Sequence, residues 1–287
     1  MMISLAYLYS LSPVHTGGAS QEGNLVGIAK ESHTDLPYLP SSTIRGRLRA
    51  DTSKESQKLL WGNTIEHVTK GEDNNLTQGA LWVGDASILW FPISSLSHGV
   101  VWVSSPLLLR RWLRLTRHNI SLPSIGSFSG GNKSSLYLKD AIFKANSSEL
   151  KPWEGSWADF LPPGGRETET ITQVLILSDK DCRILIEMSL WRQVRVNLDD
   201  QKSADAFRYE EAIPPETLMF FPWGTTTTFN QEQQEIASQH FCKMIENSMI
   251  QQLGGQESLG RGLVDLWIVN AQHADPSSQK IQEQPVL

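Results

Sequence analysis

The chain of 287 residues has only two cysteines, Cys182 and Cys242, so neither a disulfide framework nor a cysteine-built zinc site can organise it. No apolar run approaches the roughly 20 residues needed to cross a bilayer. The opening residues, Met1 to Tyr9, carry neither a basic segment nor a small-residue cleavage site, so a soluble cytoplasmic protein without a membrane partner is expected. Basic residues are outnumbered, 25 against 31 acids, and the net charge of -6 argues against nucleic-acid binding over the surface as a whole. Acid is missing, however, from two short stretches. Residues 41–50 hold Arg45, Arg47 and Arg49, and residues 106–118 hold Arg110, Arg111, Arg114 and Arg117. Each stretch is either a local anion-binding segment or a solvated helix face.

What the chain does have is glycine in two special places. Ser12-Pro13-Val14-His15-Thr16-Gly17-Gly18 follows a strand-like opening, and Gly254-Gly255-Gln256-Glu257-Ser258-Leu259-Gly260-Arg261-Gly262 comes near the end. Loops of this kind expose backbone N–H groups that approach a phosphate without an intervening Cβ. Gly255 and Gly260 also have the spacing of a nucleotide-binding loop. That motif continues with Lys and Ser or Thr opening a helix, whereas here Arg261-Gly262 leads into a strand-like run from Leu263 to Val269, so nucleotide hydrolysis is excluded. The alternative for these glycines is a cap on the preceding helix.

Alternation and punctuation predict an α+β chain. Strands are expected over 3–11, 80–91, 99–104, 172–177, 184–196, 217–221 and 263–269, with a turn at Ser97-His98-Gly99. Ser41 and Ser42 are expected to cap a helix through Ile44 and Leu48, with Arg45 and Arg49 one turn apart on one face, a sound anion site. Pro106 is expected to open a helix over 107–115. Asn230, with Gln233 three residues on, predicts the N-terminus of another, whose apolar stripe is Ala237, Phe241, Met244, Ile245 and Met249 and which Gly254-Gly255 would stop. Residues 119–134 and 146–166 read as long loops or an insertion, and 271–287 as a disordered tail.

Several strings, in order, resemble one family. They are the Ser12–Gly18 loop, His33 to Arg49, Gly84-Asp85-Ala86-Ser87, Val101 to Pro106, Arg195-Val196-Asn197-Leu198, Tyr209 to Thr217, and the Gly254–Gly262 loop. Together they are similar to the RAMP superfamily of CRISPR systems, and within it to the repeating backbone subunits of type III-B effector complexes. The resemblance implies one domain over residues 1–270, with a ferredoxin-like, RRM-related core, a large insertion and a protruding thumb, the segments near 119–170 and 197–216 being insertions or thumb elements. It also implies partners: a CRISPR guide RNA, a complementary target RNA, further copies of the chain and other type III subunits. Guide contact would then fall to His15, Ser41, Ser42, Arg45, Arg49, Gly255, Gly260 and Arg261, reading backbone rather than bases.

Cleavage is where the sequence departs from that pattern. Active relatives carry a catalytic Asp shortly before a segment matching Ile28-Ala29-Lys30-Glu31, with Mg²⁺ or Mn²⁺ as the metal, but Asn24-Leu25-Val26-Gly27 contains no Asp. His15, Glu22 and Glu31 are the remaining catalytic candidates, and no tightly bound cofactor or metal set is expected. Glu210 and Glu211 read either as reaching the site or as a solvated hairpin tip. Two other functions compete with a backbone subunit: a precursor-CRISPR-RNA processing endoribonuclease, and an assembly protein that binds no RNA.

Overall fold

Strand β1 (Ser4–Ser10) alternates poorly because both of its faces are covered. Ala6 and Leu8 join one apolar cluster, and Leu5, Tyr7 and Tyr9 join another on the opposite side. The computed structural model describes residues 3–18, 21–22, 25–71, 74–198, 204–247 and 250–269. After β1 come helices α1 (Ser41–Asp51) and α2 (Lys54–Trp61), then strands β2 (Ala86–Ser95) and β3 (Gly99–Ser104) and helix α3 (Pro106–Thr116). Next are β4 (Val174–Ile176), α4 (Asp179–Met188), and the hairpin strands β5 (Trp191–Leu198) and β6 (Ala204–Ala212). The chain continues with β7 (Leu218–Thr225), α5 (Gln231–Asn247), β8 (Ile250–Gln252) and β9 (Leu263–Ile268).

The main sheet runs β4-β3-β2-β7-β1-β9-β8. Its centre is antiparallel: β1 pairs with β7 from Ser4↔Trp223 to Tyr9↔Leu218, and with β9 from Ala6↔Ile268 to Ser10↔Val264. Helices α1, α2 and α5 cover one face through Ile44, Leu48, Trp61, Phe241 and Ile245. Helix α3 covers the other through Leu109, Trp112 and Leu113. A second sheet joins β5, β6 and the short strands Leu25–Val26 and Gln21–Glu22. The architecture is mixed α+β, as expected.

Most expected elements form. Ser105 accepts a bond from the Leu108 N–H, and Pro106 opens α3. Asn230 and Gln233 cap α5 reciprocally, and Ala237, Phe241 and Ile245 are buried, whereas Met249 lies outside the described residues. Three expectations fail. Residues 184–188 are helical rather than extended, because Cys182, Leu185 and Ile186 fall on one buried helical face and Ser178 caps α4 through the Asp181 N–H. Gly254-Gly255 do not stop a helix; α5 ends at Asn247 and β8 intervenes, paired to β9. The 80–91 strand is broken at Gly84-Asp85, where Gly84 bonds the Pro222 carbonyl at 2.7 Å and a Cβ on it would lie 2.7 Å from the Pro222 ring. The stretches read as loops include the strands Ser127–Phe128, Leu136–Leu138 and Ala141–Phe143. The tail 271–287 lies outside the described residues.

Candidate nucleic-acid groove

Helix α1 turns Ile44 and Leu48 inward, so Ser42, Gly46 and Arg47 stand on its outer side. They form one wall of a groove of about 620 Å³ whose other walls are Thr16-Gly17 and Gly254-Gly255. The two glycine loops, some 240 residues apart in the chain, therefore meet, and they do so through hydrogen bonds. The Gly255 N–H donates to the His15 carbonyl at 2.8 Å, and the Gly262 N–H to the Pro13 carbonyl at 2.9 Å. Glycine is required where the chains cross. Gly254 has φ +94° and a Cβ would lie 2.4 Å from the His15 carbonyl oxygen, while at Gly262, with φ +80°, it would lie 1.9 Å from that of Leu253. Main-chain groups and hydroxyls thus border a cleft free of bulky apolar side chains, with Glu257 and Arg47, the latter paired to Asp51 at 2.9 Å, also on its walls, a lining that can meet a phosphodiester backbone.

The predicted site residues divide. Ser42 and Gly255 line the groove, and Gly260, with φ +71°, sits on an exposed turn with open space beyond its Cα. Ser41 does not cap α1 with its hydroxyl, and neither does Ser42. Pro40 occupies the cap position, and the Ser41 N–H donates instead to the Asp85 carboxylate at 2.6 Å. That carboxylate occupies the end of the helix where the sequence suggested a phosphate. Arg45 and Arg49 turn away from the groove to the end of α2. Both donate to the Trp61 carbonyl, and Arg49 also reaches the Gly62 carbonyl at 3.0 Å. Replacing both with Ala is accordingly expected to lower stability by about 1 kcal/mol per lost bond, measured by denaturant unfolding.

Arg261 was expected to supply charge at the loop surface. It is buried, lies over the Trp191 ring at 4.6 Å, and reaches Gln193 and Glu210 at 3.0 and 3.1 Å. His15 is also interior, with Nδ1 2.8 Å from the Glu211 carbonyl, and it ties the first loop to the second sheet. Glu31 makes a bidentate pair with Arg111 at 2.8 and 2.9 Å. Burial alone would raise its pKa, but the bonds from Arg111 and Thr34 hold the carboxyl below its ordinary value, so it serves as a structural ion pair. Glu22 pairs with Leu25 in strand register; its side chain, like the whole of Asn24, lies outside the described residues. The donor set does not suit the divalent ion implied by the resemblance, since no group of three or more His, Cys, Asp or Glu gathers among the described residues and Glu31 is occupied.

Glu210 and Glu211 are not a solvated tip. They stand at the buried base of the β5–β6 hairpin. Glu210 is met by Arg208 at 2.9 Å, Arg261 at 3.1 Å and Arg195 at 3.4 Å. Glu211 is met by Arg192 at 2.9 Å and Lys30 at 3.9 Å. Sequence reading missed this cluster because its members come from four separate segments. It also missed Gly46, although its position on the side of α1 opposite Ile44 and Leu48 is legible in the helical period, and Arg47, which flanks that buried pair.

The matching family profile spans residues 7–265 and is described as the RAMP superfamily. The chain belongs to the RAMP superfamily. It is 24% identical, over 92% of its length and 95% of the relative's, to the CRISPR system Cmr endoribonuclease Cmr4 of Pyrococcus furiosus. The fold is similar to that of the crystal structure of oligomeric Cmr4 from Pyrococcus furiosus, with a TM-score of 0.66 and 22% identity over 94% of this chain and 99% of that one. It is also similar to a chain of the type III-B Cmr-beta complex bound to cognate target RNA, with a TM-score of 0.68 and 17% identity over 93% and 97% of the two chains.

Proposed function

We propose that this RAMP protein is a guide-RNA-binding backbone subunit of a type III-B-like CRISPR interference complex. The observation that carries the reading is the groove in which both glycine loops meet the outer side of α1. Its main-chain and hydroxyl donors recognise a strand irrespective of base, as a subunit holding variable guides must. The strand-helix-strand units β1-α1-β2 and β7-α5-β9, in the antiparallel order β2-β7-β1-β9, support a ferredoxin-like core. The β5–β6 hairpin supports the thumb, since Val194, Val196, Phe207 and Tyr209 share one exposed face, each between 45% and 51% accessible. The similarity to Cmr4 and to a chain of the Cmr-beta complex supports assembly with further copies and other subunits.

Gly46→Glu tests the reading. A Cβ at Gly46 meets nothing within 4 Å, so Glu fits the helix and should stabilise it by up to about 1 kcal/mol. The same side chain places bulk and negative charge in the groove. The variant is expected to melt at or above the wild-type temperature while co-purifying with little or no guide RNA. Full guide occupancy in the variant would overturn the groove assignment.

A further inference from the structure

Helix α3 carries a row of cations that the groove does not use. Leu109, Trp112 and Leu113 face the sheet, which leaves Arg110 and Arg114 exposed one turn apart, and exposed Arg117 follows as the left-handed C-cap of the helix. Among the described residues none of the three has a hydrogen bond or ion pair, whereas their neighbour Arg111 holds Glu31. His33 lies 3.3 Å from Arg111, and exposed His118 packs edge-on against Trp112 with ring centroids 5.7 Å apart. Arg110 and Arg114, one turn apart, repel each other, whereas the C-terminal end of the helix favours the charges of Arg114 and Arg117.

We propose that the Arg110–Arg114–Arg117 face is a second phosphate-backbone site that holds single-stranded RNA. Arginine reads phosphate with a planar fork and needs no apolar anchor. A protein partner usually needs one, and none of the large exposed apolar side chains lies on α3. The site is separate from the groove: α1 packs on the Ala6 and Leu8 side of β1, and α3 on the Tyr7 and Tyr9 side. A strand lying in the groove therefore leaves the row open to another.

The test titrates the full chain with a fluorescently labelled oligouridylate across a range of KCl concentrations. Four proteins are compared: wild type, Gly46→Glu, the triple variant Arg110→Gln, Arg114→Gln, Arg117→Asn, and the two sets combined. Asn suits position 117, where φ is +58°. Losing three contacts at about 0.7 each should reduce the slope of log K against log[KCl] by about 2 and weaken binding about tenfold or more. The melting curve should be unchanged, and the loss should add to that of Gly46→Glu. An unchanged slope would overturn the proposal. So would a loss that fails to add, since one site would then explain both. Intact RNA binding with loss of high-mass assembly would instead make the row a protein contact. If Gly46→Glu binds like wild type while the triple variant loses affinity, the groove reading fails and the arginine row stands.

Discussion

Glu210→Ala is expected to destabilise the protein by about 3–5 kcal/mol at pH 7, the usual effect of stripping one partner from a buried ion pair. The size of the effect depends on which cation is stranded. Arg195 and Arg208 keep 38% and 52% of their side-chain surface in water and can resolvate, but Arg261 retains 4% and cannot. A double replacement, Glu210→Leu with Arg261→Met, should therefore recover much of the loss. The pH dependence follows from the same cluster. Burial would raise the Glu210 pKa, but the bond from Arg208 and the charges of Arg195 and Arg261 hold it below its ordinary value near 4.5. A carboxyl whose pKa is depressed by folding contributes stability above the unfolded-state pKa and loses it as pH falls through the folded one. Glu31 acts in the same direction through Arg111. Unfolding free energy should thus fall steeply below about pH 4.5, and Glu210→Gln should flatten that fall. If Glu210→Gln and wild type differ by a constant amount at every pH, the carboxylate is not charged by this cluster.

Target cleavage is expected to be slow or absent in the assembled particle, even with Mg²⁺ or Mn²⁺ supplied, while complementary RNA still binds. The segment Asn24 to Gly27 contains no carboxylate, Glu31 is held by Arg111, and His15 is turned to the Glu211 carbonyl. Leu25→Asp is expected to raise cleavage by orders of magnitude, with cuts at regular spacing along the target. Position 25 is accessible enough to accept the change, and its strand register sets it directly opposite Glu22, which brings two acidic residues to facing positions. Denaturing gels of end-labelled target decide the matter. Efficient periodic cutting by the unmodified particle would show that another acid performs the reaction.

Local signals were legible wherever one short segment contained both the signal and its consequence. The reciprocal Asn230–Gln233 cap, the Ser105-Pro106 start of α3, the turn before Gly99 and the strand after Gly262 each depend on residues within one turn of the feature. The stripe Ala237, Phe241 and Ile245 was legible for the same reason, since a helix repeats every 3.6 residues regardless of its partner. Helix α4 was misread because Ile184 to Ile186 favours strand locally, and only packing on the sheet makes its buried helical face decisive.

The sequence by itself determined an α+β chain with two glycine loops and two acid-free arginine stretches, because these are properties of composition and local order. Only the tertiary structure decided what they face. The N–H at the start of α1 meets Asp85, 44 positions away, rather than a phosphate, and Arg45 and Arg49 meet the carbonyls that end α2. Arg261 is drawn inward by Glu210 and Trp191, while Gly46 and Arg47 are left on the groove. A charged or hydrogen-bonding side chain takes whichever opposite group the fold brings within about 3 Å, and that choice depends on contacts between distant segments that no local pattern records.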